Sequence, residues 1–456
     1  MIDRKNAPAP EKNISFKLPS IKQFALNNKL QVSFIRKENL PIVQIGFIIS
    51  AGSKYDASGK KGLSNLTSML IDEGAGEFSA LELDNEFEML GSILSVSTDH
   101  DSIFISLLTL KENLDRSLYL LSRIITSPQF NNEDFEREQK KAISKIIQYQ
   151  DEPSYIASIA FDNLLCKNTP YAFPAFGYER TVSAITNNDI INFFAEYFTV
   201  DNSLVIAVGD IYEIEIKELL EKHFSGWNKY NSSTYGIFPP KNDSQKLYLI
   251  NKEGAAQSEI RIGHTAKGRK SPDYFETLIM NSVLGGQFTS RINLNLREKK
   301  GFTYGASSSF NYNKEFGLFE VETAVHTQNT GESVAQILKE LDNIRNGITY
   351  EEFEFAKSSL IKRYPLMFET NSQLAKNMAL LYLFGLPDDY FDSYIPRIEN
   401  STLGQIIAAA NENVHPDKAT ILIVGDKNSV LRQLKELSLP PAIETDIYGN
   451  VIQFLN

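Results

Sequence analysis

Histidines are the side chains that could most directly bind a metal ion, and the 456-residue chain has five of them. A helix-borne site of the His-x-x-x-His type needs two imidazoles one turn apart, so that both face the same ion. The five histidines lie dozens of residues apart in the sequence, at His100, His223, His264, His326 and His415. The sequence therefore excludes a metal site of that type.

Other residues suited to catalysis are equally sparse. The single cysteine, Cys166, excludes an internal disulfide and a cysteine-based zinc site, and no histidine lies near it in the sequence to activate it. We interpret it as a small buried side chain. No Gly-x-Ser-x-Gly motif of a serine hydrolase is present. His264 and His326 could each act as a base, although a lone strand histidine is more often structural.

Composition indicates an ordinary globular protein with an acidic balance. Apolar residues make up 42% and charged residues 23%, and 46 Lys and Arg against 57 Asp and Glu give a net charge of -11. This balance disfavours nucleic acid and anionic membranes as partners. Residues 1–19 contain no apolar segment of a signal peptide, so we expect a cytoplasmic protein, or a periplasmic one if a signal has been removed.

Two pairs of similar segments lie about half a chain apart. Residues 200–210 (VDNSLVIAVGD) resemble residues 415–426 (HPDKATILIVGD), and residues 133–146 resemble residues 351–364. A period of half the chain indicates two duplicated halves rather than a solenoid. The predicted organisation is an N-terminal extension (1–20), a first half (21–227), a linker rich in Asn, Ser, Gly and Pro (228–245) and a second half (246–456).

Hydrophobic periodicity predicts the elements of the first half. Strands are expected at 30–36 and 41–49 around a turn at 37–40, and an alternating segment spans 94–110. Helical patterns cover 62–73, with Gly74 as its expected C-cap, and then 80–90 and 114–125. Since the second half repeats this plan, we predict an α+β fold in which each half is a mixed, mostly antiparallel sheet covered by helices.

Residues 51–76, AGSKYDASGKKGLSNLTSMLIDEGAG, combine a glycine-rich approach with a helical pattern. This segment resembles the pitrilysin/insulinase family of zinc peptidases, the inverted zincins, whose helix carries Gly-Leu-x-His-x-x-Glu-His. In that motif, two histidines four residues apart bind zinc and the glutamate polarises the attacking water. The resemblance implies a metallopeptidase fold like that of mitochondrial processing peptidase, with two homologous halves.

The residues that bind zinc in the family are replaced in this chain. Aligning the Gly-Leu of residues 62–63 places Asn65 and Met69 at the histidine positions and Ser68 at the glutamate position. The family's third ligand, a glutamate on a later helix, falls near Lys145. An amide, a thioether and an ammonium group do not form a zinc site. Whether these residues are remnants of a lost site or ordinary residues of a half-buried helix, we expect no metal or cofactor in this chain and no zinc peptidase activity from it alone.

The second half keeps another family signature. Residues 284–305, LGGQFTSRINLNLREKKGFTYG, resemble the family pattern Leu-Gly-Gly-x-x-x-Ser-Arg-Leu followed by Arg-Glu and Gly-Leu-x-Tyr. The resemblance implies that Arg297 and Tyr304 project toward the zinc of a catalytic half, where they orient the substrate and stabilise the oxyanion. The alternative is a solvated helix charge and an ordinary strand aromatic. Arg291 is expected to be structural, and Gly285 and Gly286 to form a tight turn.

The segments around this signature are predicted to be strands. Residues 305–325 should form a hairpin that turns at 313–316. Residues 254–262 match the family's strand at the start of the second half. If its edge is exposed, Ala256, Gln257 and Ser258 could hold an extended peptide by backbone hydrogen bonds, but a covered structural strand is equally compatible with the sequence.

The resemblance implies a non-catalytic, heterodimeric subunit. A homologous zinc-bearing subunit would supply the zinc, this chain would supply Arg297 and Tyr304, and the pair would enclose a chamber for peptide substrates. Two alternatives remain open at this point: a non-proteolytic structural or peptide-binding protein of the same fold, like the core subunits of respiratory complexes, and a homodimeric peptide-binding chamber.

Overall fold

The structure is a computed structural model of the chain and describes residues 17–227, 240 and 244–455. Most of the predicted N-terminal extension, at 1–16, lies outside the described residues. The same holds for 228–239 and 241–243 of the predicted linker.

The first sheet is built from strands on the N-terminal side of that linker. Its strands are Lys22–Ala25 (β1), Gln31–Arg36 (β2), Ile42–Ile49 (β3), Ile93–Thr98 (β4), Ile103–Leu110 (β5) and Ser203–Gly209 (β6). Their spatial order is β1-β2-β6-β3-β5-β4. The β2–β6 pair is parallel and the other pairs are antiparallel.

The second sheet repeats this plan. Its strands are Lys246–Asn251 (β7), Gln257–Ala266 (β8), Ala306–Tyr312 (β9), Gly317–His326 (β10), Thr420–Gly425 (β11), Ala442–Thr445 (β12) and Val451–Phe454 (β13), in the order β13-β12-β7-β11-β8-β10-β9. The run β7-β11-β8-β10-β9 matches β2-β6-β3-β5-β4 strand for strand. The predicted fold class, two homologous halves with mixed, mostly antiparallel sheets, is confirmed.

Helices cover both sheets. In the first half they are Leu63–Leu70 (α1), Ala80–Met89 (α2), Leu114–Thr126 (α3), Asn132–Tyr149 (α4), Pro153–Leu165 (α5), Glu179–Ser183 (α6), Asn187–Tyr197 (α7) and Glu213–Phe224 (α8). In the second half they are Tyr274–Leu284 (α9), Arg291–Asn293 (α10), Thr330–Asn346 (α11), Tyr350–Arg363 (α12), Asn371–Phe384 (α13), Tyr390–Asn400 (α14), Leu403–Asn413 (α15) and Lys427–Leu434 (α16). One helix prediction needs correction, since α1 ends at Leu70 and Gly74 does not cap it.

Each half covers part of the other half's sheet with one helix. Helix α5 packs on β8 and β11 of the second sheet, where Phe161 contacts the same apolar cluster as Leu422. Helix α13 packs on β3 and β6 of the first sheet, and Asn371 donates to the carbonyl oxygens of Ile42 and Val208 at 3.4 Å each. This exchange joins the halves through buried surfaces. The predicted domain boundaries stay a prediction.

A largely buried carboxylate, that of Asp101, connects the tips of two hairpins, one from each half. Asp101, in the β4–β5 turn, accepts hydrogen bonds from Lys54 Nζ at 2.7 Å, the Tyr171 hydroxyl at 2.7 Å and the Lys314 backbone N–H at 2.8 Å. The side chains of Lys54 and Asp101 are only 6% and 12% exposed, and Glu315 lies 3.5 Å from the Lys54 ammonium. We call these residues the hairpin clasp. It fixes the β9–β10 turn of the second half against the first half.

Candidate functional site

Helix α1, which corresponds to the zinc helix of the family, begins at a position that only glycine fills without strain. Gly62 has φ of +98°, and a Cβ there would lie 2.6 Å from the carbonyl oxygen of Phe176. The Asp56 carboxylate caps the helix by accepting from the Gly62 and Ser64 N–H groups at 2.8 and 2.9 Å. Burial raises the pKa of Asp56 to about 6, although these two hydrogen bonds act in the opposite direction. We did not predict this cap, for which Asp56 close before the helix was the only sequence signal.

The side chains at the family's zinc positions on α1 form hydrogen bonds within their own helix. The Asn65 amide donates to Met69 Sδ at 3.6 Å, and the buried Ser68 hydroxyl donates to the Asn65 carbonyl at 2.7 Å. Lys145, on α4, is exposed, and its ammonium lies 5.7 Å from the centre of the Tyr149 ring. A thioether, a hydroxyl and a cation are unsuited to zinc. The residues present therefore do not fit the metal.

Metal-binding side chains are not grouped elsewhere in the described part of the chain either. Within the described ranges, no group of three or more His, Cys, Asp or Glu side chains is arranged to hold a metal ion. Buried Glu138 on α4 is paired instead with Arg137 and Lys141. Burial, with Glu138 adding to it, raises the pKa of nearby Asp72 to about 6. The sequence did not predict a buried Glu138 close to Asp72, since only the burial pattern of α4 shows that Glu138 faces inward.

The two glycines after α9 bring a loop against β9. A Cβ on Gly285 would lie 2.5 Å from the backbone nitrogen of Ser308, which donates to the Gly285 carbonyl at 3.1 Å. Asn281 completes the contact, since its amide donates to the Ser308 carbonyl at 3.0 Å. Asn293 accepts from the Ala306 N–H at 3.1 Å. Backbone groups along the start of β9 are thus already bonded within the chain.

Arg291 has a structural position. Its guanidinium donates to both carboxylate oxygens of Glu352, at 2.7 and 2.6 Å, and to the carbonyl of Gly347 at 3.0 Å. A bidentate pair of this kind fixes orientation as well as distance. The pair joins α10 to the start of α12, and Arg291 therefore stabilises the fold as predicted.

Arg297 lies on a π-helical turn, Leu294–Lys299, that continues α10. π-Helical turns are rare in proteins, and many of those that exist lie at functional sites. The Arg297 side chain is 36% exposed, its Cζ lies 4.5 Å over the centre of the Phe288 ring, and its Nε lies 3.4 Å from Glu298 Oε1. Glu298 is itself half exposed, so this ion pair is weak. The guanidinium therefore keeps donors free for another group.

Tyr304 is 90% exposed and lies in the short connection between the π-helical turn and β9. The neighbouring Thr303 hydroxyl donates to the Gly305 carbonyl at 2.8 Å, and Thr323 donates to the same carbonyl at 3.0 Å. Tyr304 and Arg297 line one open cleft of about 710 Å³. The structure thus brings together the two residues that the resemblance identified, while their catalytic role stays a prediction.

The floor of this cleft carries a charged cluster that sequence reasoning missed. Buried Arg261, on β8, has its guanidinium nitrogens 3.0 Å from Glu259, 3.3 Å from Glu320 and 3.9 Å from Glu322. Burial raises the pKa of Glu320 to about 7, with Arg261 opposing and Glu322 adding to the rise. The sequence pattern that could have predicted this cluster is the alternation of charged residues along β8 and β10. The pairing of these strands places Arg261 opposite Glu322.

Of the two alternatives for residues 256–258, the exposed substrate-binding edge is wrong and the covered strand is correct. Gln257 and Ser258 lie on β8, an interior strand that pairs with β10 on one side and β11 on the other. Ser258 is fully buried, and the Ala256 carbonyl accepts from the Thr327 N–H. The edge of the sheet next to the cleft is β9. Since the inward and outward positions of a strand depend on long-range pairing, the local sequence could not decide this.

The remaining candidate residues are structural or remote from the cleft. His264 is buried, and its Nε2 accepts from the His415 N–H at 3.0 Å. Burial lowers the pKa of His264 to about 4, so it stays neutral. His326 ends β10. Cys166 is buried, and burial raises the pKa of its thiol.

Comparison with known proteins gives two adjoining family matches. The family described as "Insulinase (Peptidase family M16)" matches residues 31–172, and "Peptidase M16 inactive domain" matches residues 184–360. None of the helices in the described part of the chain is long and apolar enough to cross a membrane.

Bacterial relatives match along most of the chain. The "Non-peptidase homolog YmxG" of Helicobacter pylori is 25% identical over 411 residues, which cover 88% of this chain and 93% of that protein. The "Uncharacterized zinc protease YmxG" of Bacillus subtilis is 23% identical, with coverage of 88% and 98%. The "Zinc protease PqqE" of the same H. pylori strain is 23% identical, with coverage of 78% and 82%.

Solved structures share the fold. The peptidase M16 inactive domain from Pseudomonas fluorescens superposes with a TM-score of 0.84 at 21% identity, covering 90% of this chain and 98% of that one. A protease from H. pylori gives a TM-score of 0.82 at 20% identity, with coverage of 89% and 100%. The family matches, the relatives and this fold, together with a zinc helix that lacks its ligands, show that the chain belongs to the insulinase family, peptidase family M16, as an inactive member.

Proposed function

We propose that this chain pairs with a homologous zinc-bearing subunit, and that the two form a chamber in which peptides are degraded or processed. In this proposal the partner supplies the zinc and its bound water. This chain supplies Arg297 and Tyr304, which bind the substrate carbonyl and stabilise the oxyanion that forms on it.

The observation that carries the proposal is the contrast between the two halves. In the first half, Asn65 and Met69 contact each other where the family holds zinc. In the second half, Arg297 and the 90% exposed Tyr304 line one cleft. A phenol group that is so exposed contributes little to the hydrophobic core. The Tyr304 hydroxyl and the Arg297 guanidinium can both donate hydrogen bonds to a molecule outside the chain. In a chain without any role in catalysis, we would expect the Arg297 and Tyr304 donors to be lost together with the zinc ligands.

The relatives add indirect support. One H. pylori strain has both a protein named a non-peptidase homolog and a protein named a zinc protease, and this chain is similar to each of them along most of its length. Proteins with both kinds of name thus exist in one strain, as a division of labour between subunits requires.

Reconstitution tests the proposal. The chain, a zinc-bearing family member and their mixture are each assayed for cleavage of an unfolded peptide, and their zinc content and association are measured. We expect the chain alone to be inactive and without stoichiometric zinc, and the associated pair to cleave faster than the zinc-bearing subunit alone. Failure to associate with any zinc-bearing relative, or equal rates with and without this chain, would refute the proposal. Self-association with peptide binding but no cleavage would support a homodimeric chamber instead.

A further inference from the structure

We infer that Phe288 is the positioning residue of Arg297: it holds the guanidinium at the cleft while leaving its N–H donors free for the substrate. This inference rests on the proposed function of Arg297. Phe288 is 60% exposed at the cleft and, among the described residues, belongs to none of the hydrophobic cores. Its exposure therefore needs an explanation other than packing.

The geometry of the contact suits this task. Arg297 Cζ lies over the Phe288 ring, 4.5 Å from its centre. A guanidinium stacked on an aromatic face is held by the ring quadrupole, while its donors point outward in the plane of the group. A carboxylate would hold Arg297 equally well, but it would occupy the donors and neutralise the charge. The acidic side chains of the cleft floor are engaged by Arg261 instead, and Glu298 approaches only the Nε of Arg297, at 3.4 Å.

The Phe288 segment is itself fixed to the fold. The buried Asn293 amide donates to the Phe288 carbonyl at 2.7 Å, while Asn293 Oδ1 accepts from the Ala306 N–H at 3.1 Å. The same side chain thus sets the position of the ring and the start of β9, the strand that follows Tyr304. Asn293 thus links the backbone of Phe288 to the strand after Tyr304, on either side of the turn that carries Arg297, as a preorganised site requires.

A first test needs no partner subunit. In the arginine-labelled chain, the side-chain δ protons of Arg297, assigned with Arg297→Lys, should show an upfield ring-current shift by NMR. We expect Phe288→Leu to abolish that shift and Phe288→Tyr to keep it. Phe355, on α12, is similarly exposed at 54%, and Phe355→Leu serves as the matched control. An Arg297 signal that is the same in wild type and Phe288→Leu would overturn the inference.

The second test uses the reconstituted pair. A contact of this strength should change kcat about two- to fivefold. Phe288→Leu is expected to lower kcat by that factor with KM unchanged, to be rescued by Phe288→Tyr, and to add nothing to Arg297→Ala. If Arg297→Ala leaves kcat unchanged, the proposed function fails. If Arg297→Ala lowers kcat but Phe288→Leu behaves like Phe355→Leu, only the inference about Phe288 fails.

Discussion

Replacing Asp101 by alanine should destabilise the chain by about 3 kcal/mol, because it breaks the hairpin clasp between the two halves. Burial acts to lower the pKa of Lys54, but the Asp101 charge and hydrogen bond outweigh it and hold that pKa above its ordinary value. Removing one partner of a buried ion pair costs about 3–5 kcal/mol. Lys54 keeps Glu315 at 3.5 Å, so we expect the lower end of that range.

Urea unfolding of the full chain measures this loss, and hydrogen exchange locates it. Faster exchange is expected in the β4–β5 and β9–β10 turns, since Asp101 also accepts from the Lys314 N–H. Asp84→Ala, at an exposed position on α2, is the control and should change stability by less than about 0.5 kcal/mol. Adding Lys54→Met should recover part of the loss by removing an ammonium group that keeps only the more distant Glu315 as its partner. A loss below about 1 kcal/mol for Asp101→Ala would show that the hairpin clasp does not stabilise the fold.

Two further predictions concern the cleft. Since the pKa of Glu320 is raised to about 7, the folded chain binds more protons than the unfolded chain between about pH 4.5 and 7, and this group lowers stability as pH rises through that window. Relative to wild type, Glu320→Gln should therefore gain roughly 1–3 kcal/mol between pH 5 and pH 8 in urea unfolding, and parallel pH profiles would contradict this. Gly285→Ala should cost about 1–3 kcal/mol because its Cβ meets Ser308, whereas Gly404→Ala, with nothing within 4 Å, should be neutral or stabilising by up to about 1 kcal/mol. Equal effects of the two glycine substitutions on unfolding would show that close packing at Gly285 is not the cause.

Local patterns were sufficient to predict the duplicated plan. The repeated Gly-Asp pairs at 209–210 and 425–426 mark the ends of β6 and β11, which occupy equivalent places in the two sheets. The hairpin turn at 313–316 was predicted correctly from alternation and turn residues. The segment 94–110, predicted as one strand, is two strands, because the polar turn at 99–102 reverses the chain.

Features that depend on distant partners could not be predicted. The sequence of α5 does not show that this helix covers the other half's sheet, because its partners β8 and β11 lie in the second half. For Gln257 and Ser258 the sequence left an exposed edge and a covered strand open, because β8 pairs with β10 and β11, which come about 60 and 160 residues later in the chain. Likewise, the sequence showed Arg297 but not Phe288, since only the fold brings the ring under the guanidinium.

The proposed function is tested most sharply by the kcat of the reconstituted pair with Arg297→Ala or Tyr304→Phe in this chain. Zinc content and association are measured in parallel, so that loss of assembly is distinguished from loss of catalysis. We predict that each variant assembles normally and that kcat falls by about 10²- to 10³-fold, the effect of removing one oxyanion donor. If both variants assemble and cleave peptide at the rate of the wild-type pair, this chain does not supply catalytic groups to its partner.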